Sequence, residues 1–172
     1  MIFCYADPPY VGQAKRHYGH EEIDHADLIA CLIAYYPDGW ALSCSTPSLR
    51  ALLPMCPPDV RVGSWVKPFA SFKPGVNPAY AWEPVIFSGG RKRGREVDTL
   101  RDWVSANITL KRGLSGAKPY DFCAWVFEML GAEPADTLHD LFPGTGAVTE
   151  AWARWCEARR YQDATLFGGR AS

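Results

Sequence analysis

No apolar stretch in these 172 residues approaches the length of a membrane-spanning helix, which argues against a helical membrane protein. No basic segment precedes the short apolar run at the N-terminus, so that run does not read as a secretory signal, and a cytoplasmic protein is expected. The six cysteines, Cys4, Cys31, Cys44, Cys56, Cys123 and Cys156, include no Cys-x-x-Cys pair. Several fall on apolar faces, so buried free thiols are expected rather than a disulfide or metal framework. The four histidines stand at no ligand spacing with cysteine, and no metal is expected. A net charge of −1 excludes polyanion binding by bulk charge. There is no internal repeat, low-complexity tail or linker, which points to one domain over 1–172.

What is present suits a packed globular fold: 48% hydrophobic residues, with 7 Trp, 8 Tyr and 8 Phe. Apolar and polar segments alternate along the chain. Met1–Ala6, Gly39–Cys44, Val60–Val66, Ala81–Phe87 and Thr137–Phe142 read as strands. Glu22–Tyr36 reads as a helix with Ile23, Leu28, Ile29, Leu32 and Ile33 on one side. Thr46 and Pro47 suit the N-cap and first turn of a short helix through Leu53. Lys67–Pro78 reads as a loop, and Leu100–Ile108 as a helix within an irregular segment, 89–116. After Gly116-Ala-Lys-Pro119, residues Phe122, Trp125, Val126, Met129 and Leu130 follow helical spacing. Ala147, Ala151, Trp152 and Trp155 do the same near the C-terminus. Alternating strands and helices predict a three-layer α/β fold with a mostly parallel sheet.

Directly after the first strand stands Asp7-Pro-Pro-Tyr10. Two prolines fix φ and remove two backbone donors, leaving neighbouring carbonyls as free acceptors. A carboxylate beside them completes a cluster of acceptors only, and Tyr10 supplies a flat face. An amino group on a planar ring fits that set, with its N–H bonds accepted and its ring stacked. The other reading is a strand-ending turn that happens to hold two prolines. Near the other end, a strand leads into Pro143-Gly-Thr-Gly146 and then a helix. Strand, glycine turn, helix brings a ligand close to bare backbone at a helix N-terminus.

Together the two motifs resemble the S-adenosylmethionine-dependent amino-methyltransferases of DNA. Asp7-Pro-Pro-Tyr10 is similar to that family's catalytic motif, and Asp140-Leu-Phe-Pro-Gly-Thr-Gly146 to its Phe-x-Gly-x-Gly cofactor motif. Lys118-Pro119 resembles the Lys-Pro element that precedes the cofactor motif in members of permuted order. The resemblance runs from Asp7 to about Trp155. It implies a three-layer Rossmann-like methyltransferase fold, with both motif strands side by side at the sheet centre. It implies Asp7, Pro8, Pro9 and Tyr10 as catalytic residues, and S-adenosylmethionine as cofactor. Lys118, Pro119, Asp140, Phe142, Pro143, Gly144, Thr145 and Gly146 are its implied binding residues. A lysine at a helix start is otherwise usually solvated. The implied substrate is DNA, with its adenine flipped out of a duplex or taken from a single strand. In the family, Asp at the first motif position goes with adenine N6 more often than with cytosine N4. Cytosine N4, RNA, or a non-catalytic nucleic-acid-binding subunit remain alternatives; the family's protein-glutamine relatives usually carry Asn at that position.

Basic residues cluster at Lys15-Arg16, at Arg91, Lys92, Arg93 and Arg95, and at Lys111-Arg112. These are candidates for phosphate contacts, with 89–116 the candidate target-recognition insert. Trp65 and Lys67 close a strand, and suit either the substrate side or a core anchor with a surface charge. The family implies two more strands after the glycine motif, the first ending in an acid that holds the cofactor ribose. Residues 157–172 hold Glu157 and Asp163 but no strand pattern, so a truncated sheet is expected, with cofactor affinity either weak or completed by a homodimer or partner chain.

Overall fold

The computed structural model describes residues 1–9, 23–69, 75–108 and 117–167. Its frame is a six-stranded sheet: β1 Ile2–Ala6, β2 Gly39–Ser43, β3 Arg61–Val66, β4 Trp82–Gly89, β5 Trp103–Ser105 and β6 Thr137–Asp140. The spatial order is β5-β3-β4-β2-β1-β6. β1 pairs parallel with β2 and with β6, and β3 parallel with β5. β4 runs antiparallel between β2 and β3. Five strands therefore point one way, and the mostly parallel sheet expected from the alternation is present.

Period-two alternation sends successive side chains to opposite faces, and both faces are covered. Phe3, Tyr5, Ala41, Val85 and Phe87 pack on one side against α3 (Tyr120–Met129) and α4 (Ala147–Phe167). Cys4, Ala6, Trp40, Leu42 and Ile86 pack on the other against Ile29 and Leu32 of α1 (His25–Tyr35). Leu52 of the one-turn α2 (Leu49–Leu52) joins them. The result is helix, sheet, helix. Phe122, fully buried, sits at the heart of the first core, with its ring centroid 5.0 Å from Trp65, 6.0 Å from Trp125 and 6.1 Å from Tyr5. Burying one such side chain contributes about 1.5–3 kcal/mol.

Helix α1 starts at His25, because Asp24 caps it and accepts from the amides of Ala26 (2.9 Å) and Asp27 (3.1 Å). The turn after β2 begins at Ser45 rather than Thr46, and runs through 3-10 turns on either side of α2 to Met55. A correction concerns Leu100–Ile108, expected as a helix. It contains β5, because the backbone pairs along β3: the Ser64 amide donates to Asp102 O and the Ala106 amide to Val66 O. Trp103 and Val104 also favour a strand. A second correction concerns the sheet centre. β6 lies beside β1 as expected, but at an edge, with no strand beyond it among the described residues. Helix α4 continues to Phe167 instead. Among the described residues no helix is long and apolar enough to cross a membrane, and no His, Cys, Asp and Glu group could hold a metal.

Candidate active site

Parallel pairing of β1 with β6 brings the two sequence motifs together. The register sets Tyr5 opposite Asp140, so Asp7 and the segment from Leu141 leave the sheet at the same, carboxyl-terminal edge. Open α/β sheets bind ligands at this edge. Pro8 is buried, with Asp7 and Pro9 partly so. The acceptor cluster is thus anchored at one end and accessible at the other.

Asp7 is not alone there. Lys118, just ahead of α3, is buried, and its Nζ lies 3.0 Å from Asp7 Oδ2 and 3.6 Å from Glu83 Oε2. Glu83, on β4, also pairs with Lys67 at the end of β3. Among the described residues, two carboxylates and two ammonium groups therefore form one compact, charge-balanced cluster. Trp65 and Phe122 wall it: the Lys118 ammonium stands 5.5 Å and 5.7 Å from their ring centroids, and Lys67 4.6 Å from Trp65. Trp65 itself is a core anchor, donating from its indole N–H to Ala106 O at 2.8 Å. Lys118 is therefore a buried ion-pair partner rather than a solvated helix-start lysine.

The electrostatics follow from burial. Loss of solvent pushes the Asp7 carboxyl above its ordinary value, against the pull of Lys118, while Glu83 adds to the rise. Burial works to lower Lys118, but Asp7 and Glu83 outweigh it and hold the ammonium above its ordinary value. Asp140 is raised too, first by burial and then by the nearby charge of Asp7, against the hydrogen bond its Oδ1 accepts from the Phe142 amide (3.2 Å). Asp140 Oδ2 is buried without a hydrogen-bond partner among the described residues. A buried acceptor without a donor is costly, and calls for a ligand donor.

The glycine turn has the form this needs. Gly144 and Gly146 take φ +47° and +77°, where other residues are strained. A Cβ at Gly146 would meet nothing within 4 Å, and one at Gly144 only Phe142 O at 3.8 Å, so the turn faces open space. The Gly146 carbonyl accepts from the Glu150 amide (2.9 Å) and opens α4, whose N-terminus points to the same place.

Of the residues expected in the site, the structure gathers Asp7, Pro8, Pro9, Lys118, Pro119, Asp140, Phe142, Pro143, Gly144, Thr145 and Gly146 at one edge of the sheet. Tyr10, Lys15, Arg16, Lys111 and Arg112 lie outside the described residues. Arg91, Lys92, Arg93 and Arg95 follow β4 and stand at the opposite edge, where Gly89 pairs with Gly39, roughly 17 Å away across the five residues of β2. Arg91 is held by Asp136 at 2.7 Å and Arg93 by Glu128 at 3.1 Å. Arg93 and Arg95 line a cleft of about 510 Å³ with Arg61 and Arg101. Sequence reasoning missed Glu83. Its signal was an acid inside an otherwise apolar strand, Trp82-Glu-Pro-Val-Ile-Phe87.

Sheet order, the antiparallel β4 and the helices on both faces define a three-layer, Rossmann-like α/β fold. No family model matches the chain, and no curated protein matches it. Among solved structures it is similar to the M1.HpyAVI–SAM complex, with a TM-score of 0.61 and 15% identity over 89% of this chain and 78% of that one. A second crystal structure of M1.HpyAVI gives 0.58 and 15%, over 89% and 76%. At this identity the likeness is one of fold.

Proposed function

We propose that this chain is an S-adenosylmethionine-dependent methyltransferase acting on the N6 amino group of adenine in DNA. The observation that carries this reading is the meeting of Asp7-Pro8-Pro9 with the Asp140–Gly146 turn at one sheet edge, on a fold shared with a protein solved with SAM. The site fits that cofactor on its own terms: an unpartnered buried oxygen on Asp140 can accept from an amino group, and an open glycine turn admits a chain close to backbone. Asp140, Phe142, Gly144 and Gly146 would hold it, with Lys118 and Pro119 lining the pocket. When bound, the cofactor supplies an electrophilic methyl group on a sulfonium.

The chain's own residues prepare the amine. The lone pair of an exocyclic adenine amine is delocalised into the ring, which makes it a poor nucleophile. Accepting its N–H bonds, at the Asp7 carboxylate and the Pro8 carbonyl, favours a pyramidal nitrogen whose lone pair can attack. Positioning then supplies much of the rate, and the Asp7 charge stabilises the positive charge developing on nitrogen. Lys118 favours the ionised form of Asp7 against its burial, the form an acceptor requires. Asp7 need not be a strong base, because the amine can lose its proton after transfer. In a duplex the base must be flipped, with Tyr10 the stacking face. Arg95 and Lys92, exposed at the far edge, could meet flanking phosphates and not the target base.

The test is Asp7→Ala, assayed for methyl transfer to DNA and for SAM binding by calorimetry. The expected result is loss of transfer with the fold and most cofactor affinity retained. Undiminished turnover would sink the assignment. Failure of the wild-type chain to bind SAM would favour the non-catalytic subunit, which keeps the fold alone.

A further inference from the structure

Lys118 poses a problem for the chemistry just described. Its ammonium holds Asp7 Oδ2 at 3.0 Å, so charge that Asp7 gives to the substrate amine through its other oxygen is charge withdrawn from this pair. Its side chain is only 7% exposed, so water cannot take over when Asp7 is drawn away. A buried cation left unpaired is costly, and that cost would fall on the reaction.

Glu83 offers a second partner. It stands on β4, a strand other than the one that carries Asp7, and its Oε2 is 3.6 Å from Lys118 Nζ. Its place is secured twice: β4 pairs with β3 with Glu83 opposite Trp65, and Lys67 binds its other oxygen. The rings of Trp65 and Phe122 stand 5.5 Å and 5.7 Å from the ammonium, and a short shift carries it from one carboxylate to the other.

We propose that Glu83 is a positioning residue for methyl transfer, the second seat of the Lys118 ammonium, which lets Asp7 give its charge to the substrate amine without leaving a buried cation unpaired. The inference rests on the methyltransferase reading. Among the described residues, the charged and titratable groups facing the cluster are Asp7 after β1, Cys44 after β2, Lys67 after β3, Glu83 on β4, Cys123 on α3 and Asp140 on β6. Of these, only Asp7 and Glu83 are within ion-pair distance of Lys118 among the described residues.

The test is a double-mutant cycle of Glu83→Gln and Lys118→Met, read by single-turnover methyl transfer at neutral pH, with SAM affinity by calorimetry alongside. Glu83→Gln should slow transfer roughly tenfold or more with cofactor affinity unchanged, the loss expected when an interaction matters only during reaction. In the Lys118→Met background the same substitution should cost nothing further, and Glu83→Asp should restore part of the wild-type rate. Equal costs in both backgrounds would overturn the proposal, since Glu83 would then act without Lys118. A readout independent of activity is the titration of the Lys118 ammonium by heteronuclear NMR. Loss of the Glu83 charge should move its midpoint to lower pH, and an unmoved midpoint would overturn the coupling. An inactive wild type would defeat the methyltransferase reading and this role with it. An active wild type with an unaffected Glu83→Gln variant would defeat the role alone.

Discussion

Replacing Lys118 by Met separates charge from packing in the site. Methionine fills a similar volume between Trp65 and Phe122 but removes the cation that balances Asp7 and Glu83. Breaking a buried pair by deleting one partner costs about 3–5 kcal/mol. Lys67 still serves Glu83, and the Asp7 side chain is 24% exposed, so about 3 kcal/mol is expected near neutral pH. For a chain of this length that corresponds to roughly 6–12 °C in Tm. The pH dependence gives the sharper test. Asp7 already titrates above its ordinary 3.8 in the folded protein, and without Lys118 it must rise further. A carboxyl raised in the folded state binds its proton more readily folded than unfolded. Stability therefore falls as pH rises from the ordinary carboxyl value through the raised one. The variant should be most destabilised at pH 7–8 and should recover part of the loss as the pH is lowered towards the carboxyl range. Urea denaturation of the cofactor-free wild type and variant across that range measures it. A loss of equal size at every pH would refute the reasoning and assign the effect to packing.

Other perturbations follow from the same structure. Asp136 accepts from the N-terminal ammonium (2.6 Å), Arg91 and the Glu133 amide, and these contacts hold its carboxyl below the ordinary value despite burial. Asp136→Asn should therefore cost about 2 kcal/mol at neutral pH. That gap should close in denaturation measurements as the pH falls below 3.8 through the lowered folded value, where wild-type Asp136 also loses its charge. Gly146→Ala meets no atom but takes φ +77°, so denaturant titration should show about 1–2 kcal/mol of destabilisation, with weakened SAM binding by calorimetry. Burial pushes the thiols of Cys4, Cys44 and Cys123 up to about 12, so mass spectrometry after alkylation at pH 8 should find the less buried Cys31 modified before any of them.

The parts of this protein that were legible in its sequence are those whose chemistry is local. Asp7-Pro-Pro and the Gly144–Gly146 turn each announce themselves within a few residues, because prolines and positive-φ glycines impose their geometry on their own neighbourhood. The strands β1, β2, β3, β4 and β6 were legible from apolar runs bounded by turn residues. What stayed hidden depends on partners distant along the chain. Trp103–Ser105 becomes a strand because the edge of β3 is there to pair with it, and three residues carry too little pattern to say so. Arg91 reads from sequence as one of a basic run, and only the fold shows its pairing with Asp136. Lys118 and Glu83 come from segments that meet only once β1, β4 and α3 are assembled, so neither the burial of the lysine nor the role of the acid could be read from spacing. The edge position of β6 has the same origin, since strand order is a property of the whole sheet.

The most direct measurement is the fate of a labelled methyl group. The protein is incubated with radiolabelled S-adenosylmethionine and unmodified DNA, and separately with RNA, and each nucleic acid is digested to nucleosides. Label recovered in N6-methyladenine, and lost with Asp7→Ala, is the result expected. Label in another nucleoside would contradict the adenine assignment, and DNA and RNA that both remain unlabelled would contradict nucleic-acid methyl transfer itself.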